Sequence, residues 1–419
     1  MTDLFSKRIC ALLVLGAALM RVWMILEWPQ AISGTDAAQY ISLARNIVEG
    51  RGYSLWSSTP FDPDVYRSPG YPLFLAMLFK LGISEIGILA GQVILDIVSL
   101  FAGAALVSKM MGRRAGQIAL IMGLFCPFTA AIPCLFLSES LAMPLITFLF
   151  VLAPLATRWH GAVLFGFVLG LLILTRGGFL PSVALAGLFL LLPVTCSGNT
   201  SWFRRLGLSG AMAVTASIVL LPYGFWNLHT HGSFSVTPLA GMGRALWGGV
   251  AMMPGMPALP PPEPAWSVHN SIWGDGTVKP GPAELIAADN AMKDVAVDAI
   301  RLHPFRYLNG AARHALHIWF GERYLFPFNN PVIPGFWLRL GSSLLLALAL
   351  GSLITLPSPP GVKALMVLPA LTLALTHPWL YVNMRYTSTA LGPIVLLAGA
   401  GVHVLITRIS QQSLFRRKS

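Results

Sequence analysis

Apolar positions in this chain come in long blocks, separated by polar stretches of very unequal length. Ten blocks read as membrane spans: Ile9–Glu27, Ile86–Met111, Ala115–Ile132, Leu137–Thr157, Gly161–Leu174, Phe179–Thr195, Leu206–Trp226, Phe336–Leu356, Ala364–His377 and Thr389–Thr407. A crossing helix needs about 20 apolar residues, so the fifth and ninth blocks are short. Tyr71–Gly82 is apolar but shorter still, which predicts a half-embedded or interfacial helix. The pattern predicts an all-α polytopic membrane protein with about 10 transmembrane helices.

Two polar stretches are long: a first loop at 28–85 and a large loop at 222–334. In the first, Asp36 precedes a helix over Ala37–Glu49, with Tyr40, Leu43 and Ile47 on one face. That face predicts a helix lying in the interface plane. In the second, a Pro/Gly-rich section (Met253–Pro264) gives way to a helix opened by Pro282-Ala283-Glu284. Leu285, Ile286, Met292, Val295, Ala299 and Ile300 carry its apolar side, and His303-Pro304 ends it. An amphipathic run, Phe305–Phe320, leads back toward the membrane. No internal repeat or low-complexity tail divides residues 1–419, which read as one integral-membrane unit.

Composition agrees. Of the 419 residues 55% are hydrophobic and only 11% charged, against about 25% charged in soluble domains. The net charge of +12 changes the picture only through its distribution. Alternating the ten spans gathers Lys7, Arg8, Lys109, Arg113, Arg114, Arg158, Arg204, Arg205, Lys363, Arg408, Arg416, Arg417 and Lys418 on one side, with Asp3 as that side's single acid. This is the positive-inside pattern, so both termini are expected in the cytoplasm and both long loops outside. Bases spread over many short loops argue against nucleic acid. Lys7-Arg8 before an apolar run also suits a signal peptide; no small-residue cleavage site follows, which favours an uncleaved first span. Cys10, Cys126, Cys134 and Cys196 show no CxxC spacing and read as buried apolar residues.

The outer loops and span ends carry the candidate chemistry. Asp36, with Gln39 three residues on, reads as a capping-box start, as a general base on an acceptor hydroxyl or amine, or as both at once. Arg67 sits among Tyr66 and Tyr71 in a stiff Ser68-Pro69-Gly70-Tyr71-Pro72 entry and suits a phosphate. Glu139 is a helix-start acid or a second acid facing the same space. Arg176 and Arg385 fall on the same side and either extend a phosphate cluster or snorkel at the interface. Asp96 and Gln92 share one face of the second span, as an interhelical polar contact or a proton path. His229/His231 and His314/His317 lack completing ligands, so no metal is expected. No Walker loop, no GxGxxG followed by an acid, and no serine-nucleophile motif occurs in a suitable position, so no nucleotide cofactor is expected either.

Taken in order, several segments resemble the GT-C lipid-linked-sugar glycosyltransferases, above all the bacterial family 39, protein-mannosyltransferase-like group and the aminoarabinose transferases of lipid A. They are the Asp36-to-Tyr53 helix and glycine turn, Arg67-Ser68-Pro69-Gly70-Tyr71-Pro72-Leu73-Phe74, Leu137-Ser138-Glu139-Ser140-Leu141 and Leu174-Thr175-Arg176. Leu221-Pro222-Tyr223, Asn227, His231-Gly232-Ser233-Phe234, Leu246-Trp247-Gly248-Gly249 and Arg385-Tyr386 complete the set. The resemblance implies an inverting transfer from a polyprenyl-phosphate sugar, with Asp36 as base and Glu139 beside it. It implies that Arg67, Tyr66, Tyr71, Arg176 and Arg385 hold the donor phosphate. It also implies a bacterial inner-membrane enzyme working on the periplasmic side, in contact with membrane lipid, with a glycan, lipid or protein acceptor and no cofactor. The chain departs from the aminoarabinose transferases and the eukaryotic mannosyltransferases in being shorter. Two other readings stand beside this one: a transporter or flippase of a lipid-linked saccharide with Asp96 and the outer arginines as its polar pathway, and an inactive relative serving as a binding subunit.

Overall fold

The computed structural model describes residues 7–27, 35–195, 200–273, 279–321, 335–380 and 384–416, and these form helices without a strand. Among the described residues, five helices are long and apolar enough to cross a membrane: α1 (Lys7–Glu27), α4 (Glu85–Met111), α9 (Trp202–His231), α14 (Gly335–Thr355) and α18 (Leu391–Arg416). A bent pair, α15 (Pro360–Met366) and α16 (Leu368–Thr376), makes a sixth if counted as one span; the bend is 71°.

All ten expected spans coincide with helices. Four of those helices fall short of about 20 residues: α5 (Arg113–Phe125), α6 (Ser138–Leu152), α7 (Trp159–Thr175) and α8 (Pro181–Leu191). Proline explains two of the early stops. Pro127 and Pro193 follow α5 and α8 within two residues, and the residues before them, Cys126 and Leu192, have left the helical region.

Membrane helices lack a hydrophobic drive to associate, so close packing depends on small residues. α18 illustrates this at the centre of the bundle, against α4, α5, α6 and α14. A Cβ on Gly399 would stand 2.5 Å from Ala119 Cα of α5, and one on Gly401 would stand 2.2 Å from the Leu348 carbonyl of α14. A second device ties α1 to the bundle. Arg21, 0% exposed, pairs with Asp96 of α4 at 3.3 Å and donates to the Leu124 carbonyl of α5 at 2.8 Å. Gln92 takes other partners: it accepts from the Tyr71 hydroxyl at 2.7 Å and donates to the Pro133 and Leu135 carbonyls. Asp96 thus serves the interhelical contact that its position suggested, with Arg21 as partner.

Over one end of the bundle lies a second layer: α2 (Thr35–Val48), α3 (Gly70–Lys80), α10 (Met242–Ala251), α11 (Ala265–Ser271), α12 (Pro282–Leu302) and α13 (Pro304–Phe320). Asp36 in the first turn of α2 and Arg45 in the last suit the helix dipole, and Gly50 with φ 75° follows its end. Tyr40 and Ile41 of α2 pack on α3 and the start of α4; Leu43 packs on Leu55, Trp56, Val65 and Ile272 above. Protein covers both sides of α2, so the apolar face expected at the lipid interface is turned into the molecule. α12 begins as expected, with Pro282 in its first turn and the Gly281 N–H donating to Glu284 at 3.2 Å. Cys126 and Cys134 are buried and Cys10 half-buried; Cys196 lies outside the described residues.

Candidate active site

Five segments of the chain meet where the two layers join. The first turn of α2 brings Asp36 and Gln39. The turn before α3 brings Arg67, fixed because its backbone N–H donates to Asp64 Oδ2 at 2.7 Å. This turn docks on the C-terminal end of α7: the Gly177 N–H donates to Ser68 Oγ at 3.1 Å. Gly70 is required there, since a Cβ would meet the Leu174–Thr175 backbone at 2.7 Å. The same helix end supplies Arg176, and the start of α6 supplies Ser138 and Glu139. Finally α17 (Met384–Ser388) brings Arg385 and Tyr386.

The side chains form one chain of charges. Arg67 Nη2 donates to Asp36 Oδ1 at 2.5 Å and Arg385 Nη2 to Asp36 Oδ2 at 2.6 Å. Arg385 Nε also pairs with Glu139 Oε1 at 2.9 Å, and Arg176 Nη1 pairs with the same oxygen at 3.0 Å. Three guanidiniums against two carboxylates leave an excess of one positive charge. Gln39 Oε1 accepts from Arg67 Nε at 2.8 Å, while its amide donates to the Ile272 carbonyl at 2.8 Å. Aromatic faces hold the arginines in place. Arg67 lies 5.0 Å from the Tyr40 ring centre, 5.3 Å from Tyr66 and 4.9 Å from Trp273; Arg176 lies 5.2 Å from Tyr386.

Electrostatics set the state of Asp36. Burial alone would raise its pKa, but the charges of Arg67 and Arg385 and their hydrogen bonds outweigh it and bring the carboxyl down to about 2. Both oxygens are spent on arginines, so the capping reading of Asp36 and Gln39 gives way to an ion-pair network. Glu139 is 1% exposed and reaches the cluster from the bundle side. Tyr66 borders the site. Tyr71 does not: it is 0% exposed and its hydroxyl is directed at Gln92 inside the core, which removes it from the expected phosphate contacts. Among the described residues no three His, Cys, Asp or Glu side chains gather to hold a metal, and the two histidine pairs acquire no further ligands.

Several participants went unread in the sequence. Gln39 was visible only as a cap partner. Tyr40 and Tyr386 are single aromatics one to four residues from the charged groups. Arg21 was legible in principle, because an arginine inside an apolar block calls for a partner such as Asp96. Asp64 carried no signal beyond lying three residues before Arg67.

No protein-family model matches the chain, and no curated protein matches it either. Solved structures do. The oligosaccharyltransferase of Archaeoglobus fulgidus, tethered to an acceptor peptide, superimposes with a TM-score of 0.54 at 13% identity over 97% of this chain and 51% of its own. The same enzyme, AglB, in complex with an inhibitory peptide and a dolichol-phosphate, gives 0.51 at 12% identity over 97% and 52%. ArnT from Cupriavidus metallidurans bound to undecaprenyl phosphate gives 0.39 at 16% identity over 95% and 78%. The chain spans about half the length of the oligosaccharyltransferase. Its fold is the GT-C fold of membrane glycosyltransferases.

Proposed function

We propose that this chain is a glycosyltransferase of the bacterial inner membrane, with both termini cytoplasmic and its site facing the periplasm. It moves a sugar with inversion from a polyprenyl-phosphate donor to a glycan, lipid or protein acceptor. One observation carries the reading: Asp36 bridges Arg67 and Arg385 at 2.5 and 2.6 Å, and Glu139 links Arg385 to Arg176. A planar guanidinium matches phosphate oxygens bidentately, and this cluster has positive charge to spare. The dolichol-phosphate held by the archaeal neighbour supports a lipid phosphate as the ligand.

The roles follow from charge. The donor phosphate competes with Asp36 for Arg67 and Arg385. Once those arginines turn to phosphate, the carboxylate loses the charges that held its pKa at about 2 and becomes a stronger base. The acceptor hydroxyl then gives its proton to Asp36, its oxygen attacks the anomeric carbon, and the carbon–oxygen bond to phosphate breaks. The bonding pair leaves with the polyprenyl phosphate, whose charge the arginines stabilise. Glu139 holds Arg176 and Arg385 on one oxygen and so keeps the two guanidiniums together. The transporter or flippase alternative rested on Asp96 and the outer arginines; Asp96 is paired with Arg21, and Arg67, Arg176 and Arg385 are paired with Asp36 and Glu139.

The test supplies purified chain in proteoliposomes with undecaprenyl-phosphate sugars of several kinds and follows sugar loss from the lipid. Transfer or hydrolysis of at least one donor, reduced in Arg385→Gln, supports the reading. Movement of the intact lipid-linked sugar across the bilayer with its glycosidic bond unbroken would refute it.

A further inference from the structure

Beyond the Asp36 cluster, the outer layer holds a second set of polar groups with nothing to bind. Arg244 stands in the first turn of α10. Its guanidinium carbon lies 5.4 Å from the Trp273 ring centre and 5.9 Å from that of Trp266. Among the described residues that guanidinium makes no hydrogen bond or ion pair. The nearby acid is already engaged: Asp289 accepts from the Gly243 and Arg244 backbone N–H groups at 2.8 and 2.9 Å. The arginine is therefore braced on aromatic faces with its donors open.

His269 stands alongside, edge-on to Tyr66 with ring centres 5.1 Å apart. It is 2% exposed, and among the described residues neither ring nitrogen has a hydrogen-bond partner; the buried indole N–H of Trp273 lacks one there too. Burial, and the charge of Arg244, push His269 down to about 4, so it is a neutral imidazole offering one donor and one acceptor. A buried polar atom left unpaired is costly, and natural proteins keep few of them. Here three such atoms lie beside a guanidinium that makes no hydrogen bond among the described residues.

The two basic sites adjoin. Arg67 and Arg244 approach the same Trp273 ring, 4.9 and 5.4 Å from its centre, so their guanidinium carbons are within about 10 Å of each other. We propose that Arg244, His269 and Trp273 form a second anion subsite, which takes a phosphate or carboxylate carried by a carbohydrate at the transfer site. The guanidinium takes the charge, the imidazole and indole N–H take sugar hydroxyls, and the Trp273 and Tyr66 rings supply apolar walls for C–H faces. The assignment rests on the glycosyltransferase reading, but its test does not need turnover.

Full-length protein in nanodiscs is titrated calorimetrically with glucose 1-phosphate, glucuronate and neutral glucose. The wild type should bind the two anions more tightly than glucose. Arg244→Gln should weaken both roughly ten- to a hundredfold, the scale of lost charge-assisted hydrogen bonds, and leave glucose unchanged. Arg385→Gln should weaken glucose 1-phosphate, whose phosphate the Asp36 cluster also takes, and change glucuronate by no more than a few-fold. Unaltered anion affinity in Arg244→Gln, or a loss confined to Arg385→Gln, overturns the subsite. If the Gln variant does not fold, Arg244→Lys decides: it should keep the preference for anions at several-fold lower affinity, and wild-type affinity refutes the role of the planar fork. Repeating the titration with undecaprenyl phosphate at saturation separates the sources. Persisting sugar-phosphate binding assigns the anion to the acceptor, and displacement assigns it to the donor. Absence of undecaprenyl phosphate binding would count against the proposed function and leave the Arg244 result readable.

Discussion

Asp36→Asn should lower turnover and at the same time tighten binding of the lipid phosphate. The carboxylate makes two charge-assisted hydrogen bonds, 2.5 Å to Arg67 and 2.6 Å to Arg385, from a side chain only 15% exposed. Bonds of this kind contribute about 1.5–3 kcal/mol each. A donor phosphate reaching for the same guanidiniums must displace them. Asn keeps one oxygen and turns a donor NH2 toward a cation, so it forfeits about one such bond. Undecaprenyl phosphate should then bind roughly ten- to a hundredfold more tightly to the variant. Loss of the general base should lower kcat by about 10²–10⁴-fold. Scintillation-proximity binding in nanodiscs, paired with single-turnover transfer, reads both. If affinity falls along with rate, Asp36 is a brace for the arginines and the competition argument is wrong. Full retained turnover removes it as base.

The remaining expectations follow. The acid limb of kcat, which reports the donor-bound enzyme, should lie at higher pH than the acid limb of kcat/KM for the donor, because phosphate takes the arginines that hold Asp36 at about 2; coincident limbs in pH–rate profiles argue against the exchange. Asp64 is buried and burial pushes it up to about 6, above its unfolded value of 3.8, so its charged form costs stability above pH 6 and the cost fades as pH falls below that. Asp64→Asn should accordingly raise the denaturation midpoint at pH 8 and lose that advantage near pH 4, as thermal scans in detergent can check. Arg21→Met should destabilise by about 3–5 kcal/mol by stranding Asp96, and Asp96→Leu added to it should recover most of the loss in the same scans. Gly70→Ala should cost about 1–3 kcal/mol and lower transfer, since its Cβ would stand 2.7 Å from the end of α7 and push the Arg67 turn away from Arg176; unchanged activity and melting would show that the turn can yield.

Among the described residues, hydropathy alone located every helix long and apolar enough to cross a bilayer, because lipid obliges a crossing backbone to satisfy its own hydrogen bonds as a helix. It overestimated the length of α5 and α6, where apolar residues continue past the last helical turn into proline-led turns such as Cys126-Pro127. The site was legible as a set of ionisable residues on one side of the membrane: Asp36, Arg67, Glu139, Arg176 and Arg385 do meet. Their connectivity was not legible, since Asp36 and Arg385 are 349 residues apart and only tertiary packing joins them. Tyr71 failed for the opposite reason. Its neighbours in sequence are site residues, yet in the first turn of α3 its hydroxyl is directed at Gln92. The face of α2 was read correctly as apolar, but periodicity does not tell lipid from the protein layer that covers it.

The Arg21–Asp96 pair also sets a schedule for biogenesis. An arginine inside an inserted helix costs about 2.5–3.5 kcal/mol while it has no partner. Its partner lies 75 residues further along the chain, which at about 5–20 residues per second is roughly 4–15 s of synthesis. During that interval α1 carries an arginine without its carboxylate, so it is expected to stay in the membrane less firmly until α4 arrives to neutralise it. The latch that fixes α1 to the finished bundle therefore also orders its assembly, and substitutions at Asp96 should reveal themselves first as a failure of the N-terminal helix to stay in the membrane.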